Sequence, residues 1–449
     1  MRAHALAADR YAAEPRAGAH KDRVWIGVDM GTSGCRAIAI DEDARVCAQA
    51  RRALDPPTQP SPGHCTQNPE HWWDTLLGVL GDLKQALGGR APVGLCLDAT
   101  SSTVLLTDRE GAPLGSARLY NDRSAVDEAA QVARVAPSES AARGATSSLA
   151  KVLLLYREAQ PTHDVLALHQ ADWLLGRLCG RLGFSDWNNA LKLGYDAQRL
   201  GWPDWLQEIL PSGVRLPAVQ APGTIMGTLA PAIASPLGWP TSTAIHAGTT
   251  DSTAAVLAAG ARRPGDAVTS LGSTLVVKIL CEQPIRDSAS GVYSQRYGDA
   301  WLVGGASNSG SAVLRAFFSD AEIAALSQVI DPHRPSGLDY YPLLTPGERF
   351  PHPDPEFAPR LTPRPTQPSD FLQGLLEGIA NIEAEGYRRL VELGAPRPRR
   401  ILTLGGGAVN PTWTRIRARI LDTEVTAATQ TEAAYGVAQL ALENRLGMG

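Results

Sequence analysis

Neither sign of charge dominates this chain. Its 42 Lys and Arg against 46 Asp and Glu leave a formal net charge of −4 over 449 residues. That balance excludes a nucleic-acid binder held by a basic face. No apolar run approaches the roughly 20 residues a membrane helix needs. Cysteine is sparse, with six residues at positions 35, 47, 65, 96, 179 and 281, and no two form a C-x-x-C pair. A zinc or redox motif is therefore absent, and reduced, mostly buried thiols fit a cytoplasmic setting. The dipeptide Gly-Lys does not occur, nor does G-x-G-x-x-G. The usual phosphate loop and dinucleotide fingerprint are thus out.

What is present is ordinary for a globular enzyme: 44% hydrophobic and 20% charged residues, enough length for about three domains. Residues Met1 to Arg23 are rich in Ala and Arg, interrupted by acids and without an apolar core, so a disordered extension rather than a secretory signal is expected there. Order is expected from Val24, where Val24 to Asp29 reads as a buried strand and Arg36 to Ile40 as its return. Further strands are predicted at 93–97, 104–107, 241–247, 268–271, 275–280 and 401–404. Helices are predicted from Asn68, at 148–158, 252–259, 370–393 and 431–444. Mixed strands and helices at this spacing make an α/β protein. Residues Asp331 to Pro368 hold eleven of the 33 prolines, which forbids helix and central strand. The interleaved Tyr340, Tyr341, Leu343, Leu344, Phe350 and Phe357 predict an ordered loop wrapped on a domain.

Four segments can carry chemistry. Asp29-Met30-Gly31-Thr32-Ser33 lies between two strands, where a glycine turn can aim N–H groups and hydroxyls at phosphate oxygens. The carboxylate before it can hold hydrated magnesium. An ordinary self-satisfied hairpin explains these residues equally well. Ser270-Leu271-Gly272-Ser273-Thr274 repeats the pattern in the second half, suggesting a duplicated domain around a cleft. His246 to Thr253 puts Asp251 at a strand-to-helix junction, a place for either a cleft-facing carboxylate or a plain N-cap. Gly405-Gly406-Gly407 with Asn410 ends a strand; bare backbone there lets a flat ring approach, or serves a tight turn of positive φ. Finally Asp98 to Thr103 and Leu119 to Arg123 cluster hydroxyls with Asp and Arg, as a polyol site or as capped strand edges.

In this order the motifs resemble those of the FGGY carbohydrate kinases, of the actin, hexokinase and heat-shock ATPase superfamily, from about Val24 to Leu446. Ala171 to Leu175, Ser185 to Ala190 and Pro342 to Pro355 match as well. The resemblance implies two ribonuclease-H-like α/β domains with a central cleft, divided as 24–240 and 241–449. It implies ATP and Mg²⁺ as cofactors, a sugar as acceptor, and a monomer or homodimer. Asp251 becomes the general base. Asp29, Gly31, Thr32, Ser33 and Arg36, Gly272, Ser273 and Thr274, and Gly405, Gly406, Gly407 and Asn410 become the nucleotide site. Asp29, Thr100, Ser101, Tyr120, Asp122 and Asp251 become the sugar site, and Asp29 and Asp251 the metal ligands. At the positions of Thr100 and Ser101 glycerol kinases resemble Arg-Glu and xylulokinases Met-His. Asp98 to Thr103 and Asn188 to Asp196 look more like the D-ribulose kinases, so D-ribulose is the expected acceptor and D-xylulose or another ketose the alternative. Tyr120 stands where tryptophan is common. An actin-like ATPase acting as an interaction module is the competing class.

Overall fold

The computed structural model describes residues 22–445. The expected extension lies outside them except for its last two residues, and Arg23 already opens the first strand. One six-stranded sheet contains β1 (Arg23–Met30), β2 (Gly34–Ile40), β3 (Val46–Ala53), β4 (Ala91–Ala99), β5 (Ile225–Thr228) and β6 (Ala244–Thr250). Its order is β5-β6-β4-β1-β2-β3. A second contains β7 (Asp266–Leu271), β8 (Leu275–Cys281), β9 (Tyr293–Tyr297), β10 (Ala300–Ser307), β11 (Arg400–Leu404) and β12 (Val425–Ala427). Its order is β9-β10-β8-β7-β11-β12.

Five strands of each sheet superpose in topology. β3-β2-β1 are antiparallel neighbours and β1-β4-β6 parallel ones. β10-β8-β7 and β7-β11-β12 repeat that arrangement. The near-repeat of glycine turns is thus the visible trace of a whole duplicated unit, each turn joining the first two strands of its copy.

Of the helices α1 (Pro69–Leu87), α2 (Ser148–Ala159), α3 (Gln170–Cys179), α4 (Asp251–Ala259), α5 (Pro368–Glu392), α6 (Pro411–Leu421) and α7 (Ala433–Arg445), all but α2 flank these sheets, and α2 packs on Val104 and Leu106 of a separate five-stranded sheet. Successive strand side chains point to opposite faces, and β1 obeys this. Val24, Ile26, Val28 and Met30 pack with Trp72 and Leu76 of α1, while Trp25 turns toward Ala434 and Ala438 of α7. At Gly27 an added Cβ would sit 1.8 Å from the Ala434 carbonyl oxygen, so only glycine lets α7 approach. Helix α4 lies between the two sheets. Its Ala254 and Ala258 join the first sheet's cluster, and Val256 and Ala259 join Val268, Leu280 and Leu402 of the second. A helix packed on both sides has little room for side chains, which accounts for its alanine content.

Two expectations shift. The strand read as 241–247 runs from Ala244 to Thr250, because Thr243 N–H closes a turn on the Pro240 carbonyl (3.1 Å) and the strand then continues beside Asp98 and Ala99. The first sheet therefore extends past the division expected at 240/241, and α7, far beyond it, returns to that same sheet. The proline-rich stretch is ordered on the second sheet's helical side. Tyr340, Tyr341, Leu343 and Phe350 are buried there, whereas Leu344 is 55% exposed. Glu348 pins the loop, accepting from Ser307 Oγ, the Asn308 N–H and the Tyr341 hydroxyl. All six cysteines are unpaired, five of them buried.

Candidate active site

The first turn is tied from behind and open in front. Gly31 N–H donates to the Gly34 carbonyl at 2.9 Å, Leu54 N–H to the Ser33 carbonyl, and Gln67 Nε2 to the Thr32 carbonyl. A Cβ on Gly31 would meet nothing closer than 3.4 Å. The second turn repeats this: N–H groups of Ser311 and Ala312 hold the Gly272 and Ser273 carbonyls, and Ser273 and Thr274 are exposed. Carbonyls are thus consumed by the fold, and hydroxyls remain for a ligand. Arg36 forms an ion pair with Glu432, tying β2 to the segment ahead of α7.

Strand register brings the carboxylates together. Asp29 and Asp98 are Cα partners on neighbouring β1 and β4, and Asp98 is likewise the partner of Thr249 on β6, two residues before Asp251. Burial pushes the Asp29 carboxyl up to about 6, and the Asp251 charge adds to the effect. Asp98 is driven well above the carboxylate range by burial first and then by its two neighbours. Both its oxygens are buried, and the one side chain that reaches them is the neighbouring acid Asp29. Such a cluster either keeps a proton or receives a cation. The sequence places Asp98 in the candidate polyol cluster, but the resemblance assigns it neither to the metal ligands nor to the sugar contacts.

Asp251 is the first helical residue of α4, and Thr250 takes the cap position. One oxygen of Asp251 accepts the Ser252 N–H at 2.6 Å. Burial raises its pKa; the Ser252 N–H, Lys278, Lys192 and the Ser101 N–H work in the opposite direction and favour the charge. Lys278 reaches across from β8, with Nζ 3.2 Å from Gln295 Oε1 and 3.4 Å from the Ser252 carbonyl. Neither lysine was among the expected site residues. An isolated lysine in a strand or a short turn carries no sequence signal.

On the sugar side the structure brings Ser101 to Asp251 and leaves Tyr120 47% exposed at the rim. Thr100 is buried and bonded to Thr103 Oγ1 (2.6 Å) and Gln170 Oε1 (3.2 Å). Asp122 is fully buried, and its oxygens accept from Cys65 N–H, Ser124 N–H, Ser124 Oγ and Arg118. Every lone pair there has a donor, so Asp122 braces the loop. Asn188, buried beside Thr249 with Nδ2 on its Oγ1 at 3.0 Å, keeps an unpaired Oδ1.

The glycine run borders a cavity of about 490 Å³, walled by Leu314, Ile323, Gly406, Gly407, Val409 and Asn410 among others. Gly405 adopts φ 83°, where a Cβ would strike the Leu271 carbonyl at 2.7 Å. Beyond Gly406 nothing lies closer than Arg315 at 3.9 Å, so bare backbone faces the cavity. Asn410 caps α6 by accepting the Trp413 N–H (3.0 Å) and donates to Ser327 Oγ (2.8 Å). Gly405 thus meets the turn reading, and Gly406 has open space beside it.

Two duplicated sheets with a glycine turn in each, a carboxylate cluster and a cavity beside bare backbone are the arrangement that the resemblance to carbohydrate kinases leads one to expect. Family models agree along the chain: the FGGY family of carbohydrate kinases matches by its N-terminal domain over residues 24–258 and by its C-terminal domain over 267–443. The chain belongs to that family. It is 25% identical over 420 residues to the xylulose kinase of Bacillus subtilis (strain 168), covering 89% of this chain and 84% of that one. With the ribulokinase of Shouchella clausii (strain KSM-K16) it shares 26% over 306 residues, 58% of this chain and 54% of that one. Among solved structures, a xylulose kinase from Rhodospirillum rubrum aligns with TM-score 0.82 at 23% identity, over 94% and 90% of the chains. Glycerol kinase from Plasmodium falciparum with ADP aligns with TM-score 0.83 at 17% identity, over 94% and 90%. Among the described residues no helix is long and apolar enough to cross a membrane.

Proposed function

We propose that this chain is an ATP-dependent pentulose kinase that converts D-ribulose to D-ribulose 5-phosphate. The observation that carries the kinase chemistry is the Asp251 carboxylate, held by the Ser252 and Ser101 N–H groups and with its charge favoured by Lys278. A carboxylate so placed can take the proton from the acceptor hydroxyl as its oxygen bonds to the γ-phosphorus and the bond to the β–γ bridging oxygen breaks. Phosphoryl transfer needs alignment and charge more than base strength. The hydroxyl of half-buried Thr32 and the exposed hydroxyls of Ser33, Ser273 and Thr274 would bind the phosphates from the two sheets, and adenine would lie over Gly406 in the cavity.

The donor set fits Mg²⁺. Asp29, Asp98 and Asp251 offer only hard oxygens, and no cationic side chain is bonded to the buried Asp98 carboxylate. Among the described residues no group of three His, Cys, Asp or Glu side chains is placed to hold a metal ion by itself. Asp29 and Asp251 would therefore hold the ion together with phosphate oxygens and water. When bound, it supplies charge neutralisation at the β- and γ-phosphates.

D-ribulose rests on the Asp98 to Thr103 and Asn188 to Asp196 segments. D-xylulose is the second reading, favoured by the relatives named xylulose kinase. A panel of D-ribulose, D-xylulose, L-ribulose and glycerol with ADP release as readout decides. A kcat/KM for D-xylulose above that for D-ribulose overturns the first reading, and sugar-independent ATP turnover overturns both.

A further inference from the structure

Beneath the sugar-side loops lies a lysine that none of the chemistry above uses. Lys151 on α2 has no exposed surface. Its Nζ donates to the Ser102 carbonyl in the first loop and to the Leu119 carbonyl, 2.8 Å away, in the second. Ser102 stands at φ 69°, a left-handed conformation that costs a non-glycine residue energy and persists only where its surroundings enforce it. A second support arrives from the same side. Asp172 Oδ2 bonds His169 Nδ1 at 2.8 Å, His169 Nε2 bonds Ser148 Oγ at 3.1 Å, and Ser148 Oγ reaches Ser102 Oγ at 3.4 Å. This Asp–His–Ser order resembles a hydrolase triad. All three side chains are buried, however, and Ser148 has no exposed surface to offer an acyl group. The chain ends on the strained turn instead. Thr103 completes the junction, accepting the Tyr120 N–H on Oγ1 at 3.1 Å and the Gln170 N–H on its carbonyl at 3.0 Å.

We infer that Lys151, with the Asp172–His169–Ser148 chain, is the positioning element of the acceptor site. It clamps Ser102 in its left-handed turn and locks the Ser101 loop to the Tyr120 loop. Ser101 is thereby presented to the sugar beside Asp251, and acceptor discrimination depends on that fixed spacing. The inference rests on the sugar site proposed above. Nucleotide contacts lie on the other turns, so loosening the clamp affects the sugar alone.

The test compares Lys151→Met, Ser148→Ala and Ser101→Ala, with kcat and KM measured separately for D-ribulose, D-xylulose and ATP. Lys151→Met is expected to raise the sugar KM by about tenfold or more, since small misplacement of reacting groups costs rate and binding steeply. ATP KM should stay within about twofold, and the ratio of kcat/KM between the two sugars should fall toward one. Ser148→Ala keeps the lysine and should raise the sugar KM by about threefold; it decides the matter if Lys151→Met shows no thermal unfolding transition. Unchanged sugar KM in Ser148→Ala and in folded Lys151→Met, with Ser101→Ala impaired, overturns the clamp and leaves the sugar site standing. Parallel rises in sugar and ATP KM also overturn it, since they mark general loosening. Unchanged sugar KM in Ser101→Ala overturns the sugar site and the clamp together.

Discussion

Asp251→Asn separates charge from shape at the reacting centre. The asparagine oxygen can still accept the Ser252 N–H that Asp251 holds at 2.6 Å, so the first turn of α4 should persist. What disappears is the carboxylate proposed to take the acceptor proton, together with one of three acids that crowd the cluster. A positioned base contributes about 10²–10⁴-fold, or about 2.7–5.4 kcal/mol at 1.36 kcal/mol per decade. The fall should appear in kcat for the sugar reaction, measured by coupled ADP release at saturating ATP. Stability should move the other way. Asp29 and Asp98 are both held above their ordinary pKa partly by the Asp251 charge, so removing it relieves repulsion, and the apo protein's Tm should hold or rise. Activity lost with stability kept is the signature of a site that trades one for the other. Sugar phosphorylation surviving within about tenfold would refute the base assignment, and a lower Tm would refute the account of the crowded acids.

Asp29→Ala should raise the KM for Mg·ATP with little change in sugar binding by equilibrium titration; unaltered nucleotide kinetics count against its role. Gly405→Ala sets a Cβ 2.7 Å from the Leu271 carbonyl at φ 83°. A shift of that backbone should weaken ATP binding by about tenfold or more, read by calorimetry with a non-hydrolysable analogue. Asp186 is pushed up to about 7, chiefly by burial and next by Asp172. Between about pH 4 and 7 the folded chain keeps a proton that the unfolded chain releases, so this residue's contribution to stability falls as pH rises, by at most about 1.4 kcal/mol per unit. Thermal melts from pH 5 to 7.5 should show a shallower decline in Asp186→Asn, and an unchanged slope would contradict the assignment.

The glycine turns, the strand between 400 and 404 and the helix after Asn68 were legible because each has a local cause: a turn residue, an apolar run, a cap. The length of β6 was not, since its extension depends on pairing with Asp98 and Ala99 across the sheet. Asp122 illustrates a different gap. Its position within a polar cluster suggested a sugar contact, but its lone pairs are filled by Cys65, Arg118 and Ser124, and only the fold reveals that. Lys278 and Lys151 were silent for the same reason: each acts on backbone carbonyls far away in sequence.

Helix α7 has a consequence for the order in which this chain can be built. It fills the face of β1 that carries Trp25 and Gly27, and Glu432 just ahead of it meets Arg36 across 396 positions. Gly436 sits so close to α4 that a Cβ would lie 2.0 Å from the Ala254 carbonyl. On the ribosome, the first sheet therefore emerges with one apolar face bare and waits for nearly everything else to be synthesised. Its folding intermediate should be a natural chaperone client, and a ribosome stalled before α7 should hold a first lobe far more open to protease than the finished enzyme.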